Sequence, residues 1–193
     1  PTIAGIEQAD AILLVGSDPR HEASVINARI RKRWRQGGLK IGLIGTKVDL
    51  TYTYDYLGAG AKTLSGLAKS KNDFVAALKA AERPAIIIGQ GALARGDGAA
   101  VLAQAAALAD SVKAVSGDWN GFAVLHTAAS RVGGLDLGFV PGKGAMDAKS
   151  MLTDADVLFL LGADELDFTK KTAGFTVYIG SHGDNGAHHA DVI

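Results

Sequence analysis

Cysteine is absent from the 193-residue sequence, and neither sign of charge is in excess. Without cysteine, these residues cannot form disulfides, supply a catalytic thiolate or ligate zinc or an iron–sulfur cluster through sulfur. The 20 lysines and arginines balance 20 aspartates and glutamates, whereas a nucleic-acid-binding domain usually carries a broad basic field. We therefore expect no nucleic-acid partner.

Apolar runs of membrane-spanning length are also missing. A spanning helix needs about 20 consecutive apolar residues, and the apolar runs here are far shorter. The sequence begins at Pro1 without an initiator methionine or a signal-like leader, and residues 190–193 look like the start of a strand. We therefore expect a soluble fragment of a longer protein, with no direct membrane span.

Two similar segments stand out in what the sequence does contain. The apolar runs 11–15 and 157–161 each follow an aspartate, and each ends in glycine, a small residue and a second aspartate. Such a run predicts a buried strand that turns directly into the next element. The residues at these strand ends are Gly16, Ser17, Asp18 and Pro19 in the first segment, and Gly162, Ala163 and Asp164 in the second.

Predicted strands and helices alternate along the whole chain. The main strands are expected at 11–15, 39–44, 85–88, 157–161 and 175–179, and the main helices at 19–36, 63–68, 72–81, 98–109 and 122–132. This alternation predicts an α/β fold with doubly wound, mostly parallel sheets in two Rossmann-like lobes. The polar link 69–71 divides a first lobe at 1–71, which we expect to be incomplete, from a second lobe at 72–193.

Two of the predicted helices have unusual faces. Helix 98–109, for which Asp97 is the expected cap, is apolar on nearly every side and should be buried on nearly every side. The last turns of helix 19–36 carry Arg29, Arg31, Lys32, Arg33 and Arg35. We favour a solvated face whose cations complement the helix dipole, with a patch for an anion or a partner as the alternative.

The nucleotide-binding motifs are incomplete. Residues 89–94 fit the pattern G-x-G-x-x-[GA] after a strand, but a dinucleotide site needs its helix to start at these glycines. The sequence predicts that the next helix starts only at Gly98, so we favour an ordinary loop over NAD binding. Residues 45–49 resemble the base-recognition element of GTPases, yet no phosphate-binding loop G-x-x-x-x-G-K-[ST] is present. Nucleotide hydrolysis is therefore rejected.

Candidate catalytic and metal-binding side chains are sparse. Residues 181–191 combine histidines with carboxylates and could ligate a metal, but we favour an ordinary polar turn. Residues 116–118 are predicted to cap a helix, and His126 to be a hydrogen-bonded histidine within helix 122–132. The sequence therefore predicts no catalytic residue and no metal site.

Several segments of the chain carry a resemblance to a known family. Those at 9–19, 84–91, 135–138, 160–164 and 190–193 together extend over essentially the whole sequence. They resemble the molybdopterin-dependent oxidoreductases, the formate dehydrogenase and DMSO reductase group. Within that group, residues 48–58, 135–139 and 182–187 look closest to the C-terminal part of the large iron–sulfur subunits of respiratory complex I, NADH:quinone oxidoreductase.

The resemblance implies an origin for the two strand-end loops. In the molybdenum enzymes, loops of the pattern Gly-x-Asn-Pro help to hold two pterin guanine dinucleotides. Here aspartate replaces asparagine at positions 18 and 164, and Glu165 replaces the second proline. Because a carboxylate next to a diphosphate is unfavourable, we expect vestigial loops that hold no cofactor.

The resemblance also implies a structural role in a larger enzyme. The chain would be a cofactor-free scaffold that contacts other peripheral-arm subunits of complex I, on the cytoplasmic or mitochondrial-matrix face of the energy-transducing membrane. FMN and iron–sulfur clusters would lie elsewhere in the parent complex. Two alternatives stay open. The chain could be the cofactor-binding part of a true molybdopterin oxidoreductase, or residues 83–115, which resemble the middle domain of thiamine-diphosphate enzymes, could bind a nucleotide.

Overall fold

The computed structural model describes residues 1–67, 70–128 and 130–193, and for Ala61 the backbone alone. The strands are β1 (Ala11–Val15), β2 (Lys40–Ile44), β3 (Asp55–Gly58), β4 (Pro84–Ile88), β5 (Val115–Ser116), β6 (Trp119–Asn120), β7 (Phe122–Val124), β8 (Val157–Leu161) and β9 (Phe175–Ile179). The α-helices are α1 (Pro19–Glu22), α2 (Ser24–Arg35), α3 (Ala61–Leu67), α4 (Asp73–Ala80), α5 (Gln90–Leu93), α6 (Gly98–Ser111), α7 (Arg131–Asp136), α8 (Ala148–Asp154) and α9 (Asn185–His188), and 3-10 helices span Gly5–Gln8 and Phe168–Lys170. The chain divides into two compact units, Pro1–Ala129 and Ser130–Ile193.

The first unit is built on a parallel sheet with the strand order β3-β2-β1-β4-β7. Every residue of the central strands β1 and β4 is buried. An unbroken apolar run suits such a strand, because both faces of a parallel sheet are normally covered. The chain winds outward from β1 to β2 and β3 and then returns to β4 on the other side of β1, so the direction of winding reverses between β1 and β4.

Helices cover both faces of this sheet, because alternate side chains of each strand point to opposite faces. On one face, Ile12 and Leu14 of β1 belong to a buried cluster with Ile30 of α2. On the other face, Leu13 belongs to a cluster with Phe74 of α4, and further members of that cluster come from α3 and α6. The prediction of a doubly wound α/β fold is therefore confirmed.

The second unit is a smaller parallel arrangement. β8 and β9 pair along five residues, and Val192 adds a parallel bridge to Val177. One face of the pair is buried in a cluster that includes Leu158, Leu160 and Phe168. The other face, which we call the bare face, carries exposed apolar side chains: Val157, Phe159, Leu161, Phe175 and Ile179. Among the described residues of the second unit, this pair is therefore covered on one side only.

The boundary predicted between residues 71 and 72 falls inside the first unit. β4, which the sequence predicts to open a second lobe, pairs with β1 from Ala11 opposite Pro84 to Val15 opposite Ile88. These contacts join β4 to the first sheet, and the chain divides only after β7. Lys69 of the predicted link, and Ala68 at the expected end of the preceding helix, lie outside the described residues.

Two helices have different bounds in the structure from those the sequence predicts. Helix 19–36 is interrupted at Ala23, whose backbone angles of φ −151° and ψ 65° separate α1 from α2. Phe122–Val124 forms strand β7 beside β4 instead of the start of helix 122–132, because aromatic and β-branched residues suit a half-buried strand. Ala129 of that predicted helix lies outside the described residues.

Helix α6 is less buried than the sequence predicts. Val101, Ala105 and Leu108 are buried, whereas Leu102 and Ala103 are exposed. A helix that packs on one face of a sheet buries a single stripe, so the expectation of burial on nearly every side is wrong. Asp97 does not cap the helix through its side chain. No helix in the described part of the chain has both the length and the apolar character that crossing a membrane requires.

Candidate functional site: the strand-end loops

A cavity of about 370 Å³ lies at the carboxyl ends of β1 and β2. Its lining includes Gly16, Ser17 and Asp18 after β1, Gly45 after β2 and Ala92 of α5. The winding of the sheet reverses beside β1, and α/β proteins commonly bind ligands outside the strand ends at such a reversal. The first predicted loop therefore lies where the fold would place a binding site.

Glycines let the loops after β1 and β4 approach each other closely. Gly16 has a φ of +54°, and its N–H donates to the Ile44 carbonyl at 2.7 Å. The Gly89 N–H donates to the Val15 carbonyl at 2.9 Å. A Cβ on Gly89 would lie 2.2 Å from the Gly16 carbonyl oxygen, and one on Gly16 would lie 2.6 Å from the Ala92 Cβ. These glycines are therefore required by the packing of the protein itself.

The polar groups of the first loop are bound by side chains of α1. The Asp18 N–H donates to Glu22 Oε1 at 3.1 Å, and the hydroxyl of the buried Ser17 donates to Glu22 Oε2 at 3.3 Å. Asp18 Oδ2 lies 2.7 Å from His21 Nδ1, while Asp18 Oδ1 is buried and has no hydrogen-bond partner among the described residues. The helix break at Ala23 ends α1 directly after Glu22. Two carboxylates therefore occupy this end of the cavity.

The arginine that lines the cavity supplies little compensating positive charge. Arg95 lines the cavity, but its guanidinium donates to Asp97 at 2.7 and 3.1 Å. This hydrogen-bonded pairing lowers the pKa of Asp97 below its ordinary value. The cavity lining therefore combines two carboxylates with an arginine that is already paired, which is the reverse of what a diphosphate requires.

The GTPase-like segment 45–49 has a structural use beside this cavity. Asp49 accepts hydrogen bonds from the Thr51 N–H at 2.9 Å and from Arg20 of α1 at 2.6 Å. The Thr51 N–H and the Arg20 guanidinium hold the pKa of Asp49 below its ordinary value. Lys47 lies over the Tyr56 ring with its Nζ 5.9 Å from the ring centroid. This segment therefore braces α1 against the end of β2.

The second predicted loop is closed in a similar way. Gly162 adopts a φ of +59°, and its N–H donates to the Ile179 carbonyl at 2.9 Å. Asp164 Oδ1 accepts from the Gly186 N–H at 2.7 Å, and Oδ2 accepts from the Tyr178 hydroxyl at 2.9 Å. The hydrogen bond to Asp164 raises the pKa of Tyr178. The Asp164 carboxylate thus ties the end of β8 to β9 and to α9.

The polar segment 181–191 is used for local structure. Asp184 caps α9 through the Asn185 N–H at 2.9 Å. The His189 ring stacks on Phe168 with ring centroids 5.1 Å apart, and Asp191 Oδ2 accepts from the Thr176 N–H at 2.8 Å. Within the described ranges, no three histidine or carboxylate side chains are grouped as a metal ion would require.

Three further sequence-based assignments need correction. Helix α5 begins at Gln90, directly after β4 and Gly89, so the expected delay of the helix until Gly98 is wrong. Ser116 ends β5, and residues 117 and 118 form the turn to β6 instead of capping a helix. His126 lies after β7 outside any helix, and its buried Nδ1 has no hydrogen-bond partner among the described residues.

Sequence reasoning located both loops but missed the groups that occupy them. Glu22 and Tyr178 are contributed by the elements next to each loop. A signal for Glu22 was present, because it lies four residues after Asp18, the spacing at which a side chain reaches back to the start of a helical turn. Tyr178 is distant in sequence, and its role follows only from the pairing of β8 with β9.

Comparisons with known proteins agree with the sequence-based resemblance. The sequence model of the molybdopterin oxidoreductase family matches residues 1–193. With the whole chain covered, identity is 44% to a subunit of NADH-quinone oxidoreductase from Rickettsia bellii and 43% to the subunit of the same name from Rickettsia felis. Identity is 40% to mitochondrial NADH dehydrogenase (ubiquinone) iron-sulfur protein 1 of Solanum tuberosum. The chain spans 27%, 28% and 26% of the length of these relatives. From the match along its full length, the chain belongs to the molybdopterin oxidoreductase family.

Proposed function

We propose that the chain is a cofactor-free structural part of the large peripheral-arm subunit of NADH:quinone oxidoreductase. In this proposal it contains no catalytic residue and no metal ligand, and its role is to pack against other peripheral-arm subunits. FMN and iron–sulfur clusters belong to the rest of the complex. The chain is peripheral, on the cytoplasmic or mitochondrial-matrix face of the membrane. The names of the relatives support the parent enzyme, since they are those of an NADH-quinone oxidoreductase subunit and of a mitochondrial NADH dehydrogenase protein.

The observation that carries the cofactor-free assignment is the bonding of Glu22. In a diphosphate site, the Asp18 N–H and the Ser17 hydroxyl would donate to phosphate oxygens. Here both donate to the Glu22 carboxylate, and Asp18 adds a second negative charge. A diphosphate would have to displace one carboxylate and lie beside another, so these residues do not fit the group.

The second loop supports the same proposal. Both oxygens of Asp164 already accept hydrogen bonds from within the second unit, from Gly186 and Tyr178. An asparagine at this position could turn its amide N–H donors toward a ligand, whereas a carboxylate has only acceptors. In this proposal, the two strand-end loops are vestigial and now serve packing. They consist of Gly16, Ser17, Asp18, Pro19, Gly162, Ala163 and Asp164.

The alternative, a cofactor-binding part of a true molybdopterin oxidoreductase, is favoured by the family match alone. Metal and pterin analysis of the purified full-length protein in its assembly distinguishes the two. We expect iron and flavin, with no stoichiometric molybdenum, tungsten or pterin. Stoichiometric molybdenum together with pterin would overturn the cofactor-free assignment.

Variants of two carboxylates provide a functional test. Glu22→Ala and Asp164→Ala, made in the full-length protein, should lower the amount of assembled complex, because each removes two hydrogen bonds that hold a strand-end loop. Quinone reduction per assembled complex should stay unchanged. Asp136→Ala, at an exposed position of α7, is the matched control and should change neither quantity. A loss of turnover per assembled complex in the Glu22 or Asp164 variant would contradict the proposal.

A further inference from the structure

The outer face of α2 forms a recess of about 440 Å³. Ala28, Arg31, Lys32, Arg35 and Gln36 line it, and we call it the cationic recess. These residues follow one another at the three- and four-residue spacing that places side chains on one face of a helix. The small side chain of Ala28 leaves room between the long side chains of the following turns. All five residues are exposed.

Positive charge at this face exceeds what the protein neutralises. Residues 29–35 carry five of the chain's 20 lysines and arginines, and three of these, Arg31, Lys32 and Arg35, line the recess. Glu7 accepts from both Arg29 and Lys32 at 2.7 Å. Arg31 donates from Nε to the Thr51 carbonyl at 3.3 Å. In the described ranges, no carboxylate pairs with Arg31 or Arg35.

The helix dipole accounts for only part of this charge. Cations are favourable in the last turn of a helix, but like charges four residues apart repel each other. Arg31 and Arg35, which both line the recess, form such a pair. A bound anionic group would relieve this repulsion, so the arrangement is better suited to a complex than to an isolated surface.

An apolar residue next to the recess points to the kind of partner. Val25 is 61% exposed and lies three residues before Ala28 on the same face of α2. A partner that used only phosphates would gain nothing from Val25, whereas a protein segment with apolar and acidic side chains could contact both. Protein interfaces commonly combine an apolar centre with a charged rim and are enriched in arginine.

We propose that the cationic recess is a docking surface for an acidic segment of a neighbouring subunit, with carboxylates beside Arg31 and Arg35 and apolar side chains on Val25 and Ala28. The proposal rests on the proposed function, because it requires an assembly of subunits. In such a contact, complementary charges set the register of the partner and the rate of association.

Photo-crosslinking in the assembled enzyme tests this proposal. Ala28→p-benzoylphenylalanine is introduced into the full-length protein, the purified complex is irradiated, and the crosslinked peptides are identified by mass spectrometry. We expect a peptide of another subunit that is rich in Asp and Glu. Ala103→p-benzoylphenylalanine, on the exposed face of α6, is the control and should not yield that peptide. A crosslink at position 28 to lipid, to the same polypeptide or to a neutral or basic peptide would overturn the proposal, as would no crosslink. Failure of the protein to purify with any complex would instead contradict the proposed function.

Charge variants separate electrostatic docking from a general effect on folding. Arg31→Glu with Arg35→Glu should lower the yield of the position-28 crosslink about tenfold, because two exposed ion pairs become repulsive contacts. Arg31→Lys with Arg35→Lys keeps the charge and should retain most of the crosslink. The control, Lys62→Glu with Lys143→Glu, makes the same change in net charge elsewhere and should have no effect. Equal losses in the Glu and Lys pairs would show that charge is not the cause.

Discussion

Replacing Gly89 and Gly91 separately by alanine tests whether the segment 89–94 serves packing. A Cβ at Gly89 would lie 2.2 Å from the Gly16 carbonyl oxygen and 2.9 Å from the Ser17 Cα, both backbone atoms that cannot move as a side chain can. Relieving the first contact requires a displacement of about 1 Å, and overpacking of this kind costs ~1–3 kcal/mol. A Cβ at Gly91 meets no atom within 4 Å.

The two substitutions should therefore change the free energy of unfolding differently. Gly91 lies within α5, so Gly91→Ala should be neutral or should stabilise by ~0.4–1 kcal/mol through the smaller entropy of the unfolded chain. Gly89→Ala should destabilise by ~2 kcal/mol. With a urea dependence of ~2 kcal/mol per M, its unfolding midpoint should fall by about 1 M.

Urea unfolding of the 193-residue chain, followed by tryptophan fluorescence, measures this difference in the free energy of unfolding. The sequence contains two tryptophans, and both Trp34 and Trp119 lie in the first unit, beside the cluster that includes Ile12 and Leu14. The signal therefore reports on the sheet that Gly89 joins. If Gly89→Ala left the midpoint unchanged, or if Gly91→Ala lowered it as much, the steric argument would be refuted.

Two further predictions concern polar groups of the first unit. The buried Tyr52 hydroxyl donates to Asn27 Oδ1 at 2.8 Å, so Tyr52→Phe should leave that acceptor unpaired and cost ~1–3 kcal/mol in the same urea assay; a neutral result would contradict this role. Hydrogen bonds from Lys32 and Arg29 lower the pKa of Glu7 below 4.5, so its stabilising effect is present above that value and is lost as the pH falls through the lower, folded-state pKa. Glu7→Gln should therefore flatten the dependence of the unfolding midpoint on pH below about 5, and an unchanged pH profile would contradict this prediction.

The central strands were predictable because unbroken apolar runs are typical of parallel strands covered on both faces, as β1 and β4 are. The equally apolar β8, predicted to be buried, buries one face only, so an apolar run indicates a strand but does not determine how far the strand is buried. β7 was missed because three residues are too short for a periodic pattern. Its strand conformation depends on pairing with β4, a contact between segments about 35 residues apart that local sequence does not encode.

In the candidate site, too, local features were predictable from the sequence and contacts between distant segments were not. The loops after β1 and β8 were located from their strand ends, and the unusual aspartates at 18 and 164 were apparent from the sequence. Their bonding partners were not, because a hydrogen bond such as that from Tyr178 to Asp164 depends on the register of two strands. The basic segment of α2 was visible too, but the pairing of Glu7 with Arg29 and Lys32 required the fold.

The bare face of β8 and β9 has a consequence for how the protein is made and handled. Its exposed side chains, from Phe175 at 51% to Leu161 at 71%, form an apolar patch on an extended strand pair, which is the kind of surface that promotes aggregation and recruits chaperones. The first unit has both faces of its sheet covered and does not share this liability. A recombinant protein limited to these 193 residues should therefore gain solubility from Phe159→Thr and Leu161→Thr, which introduce a β-branched strand former while removing apolar surface.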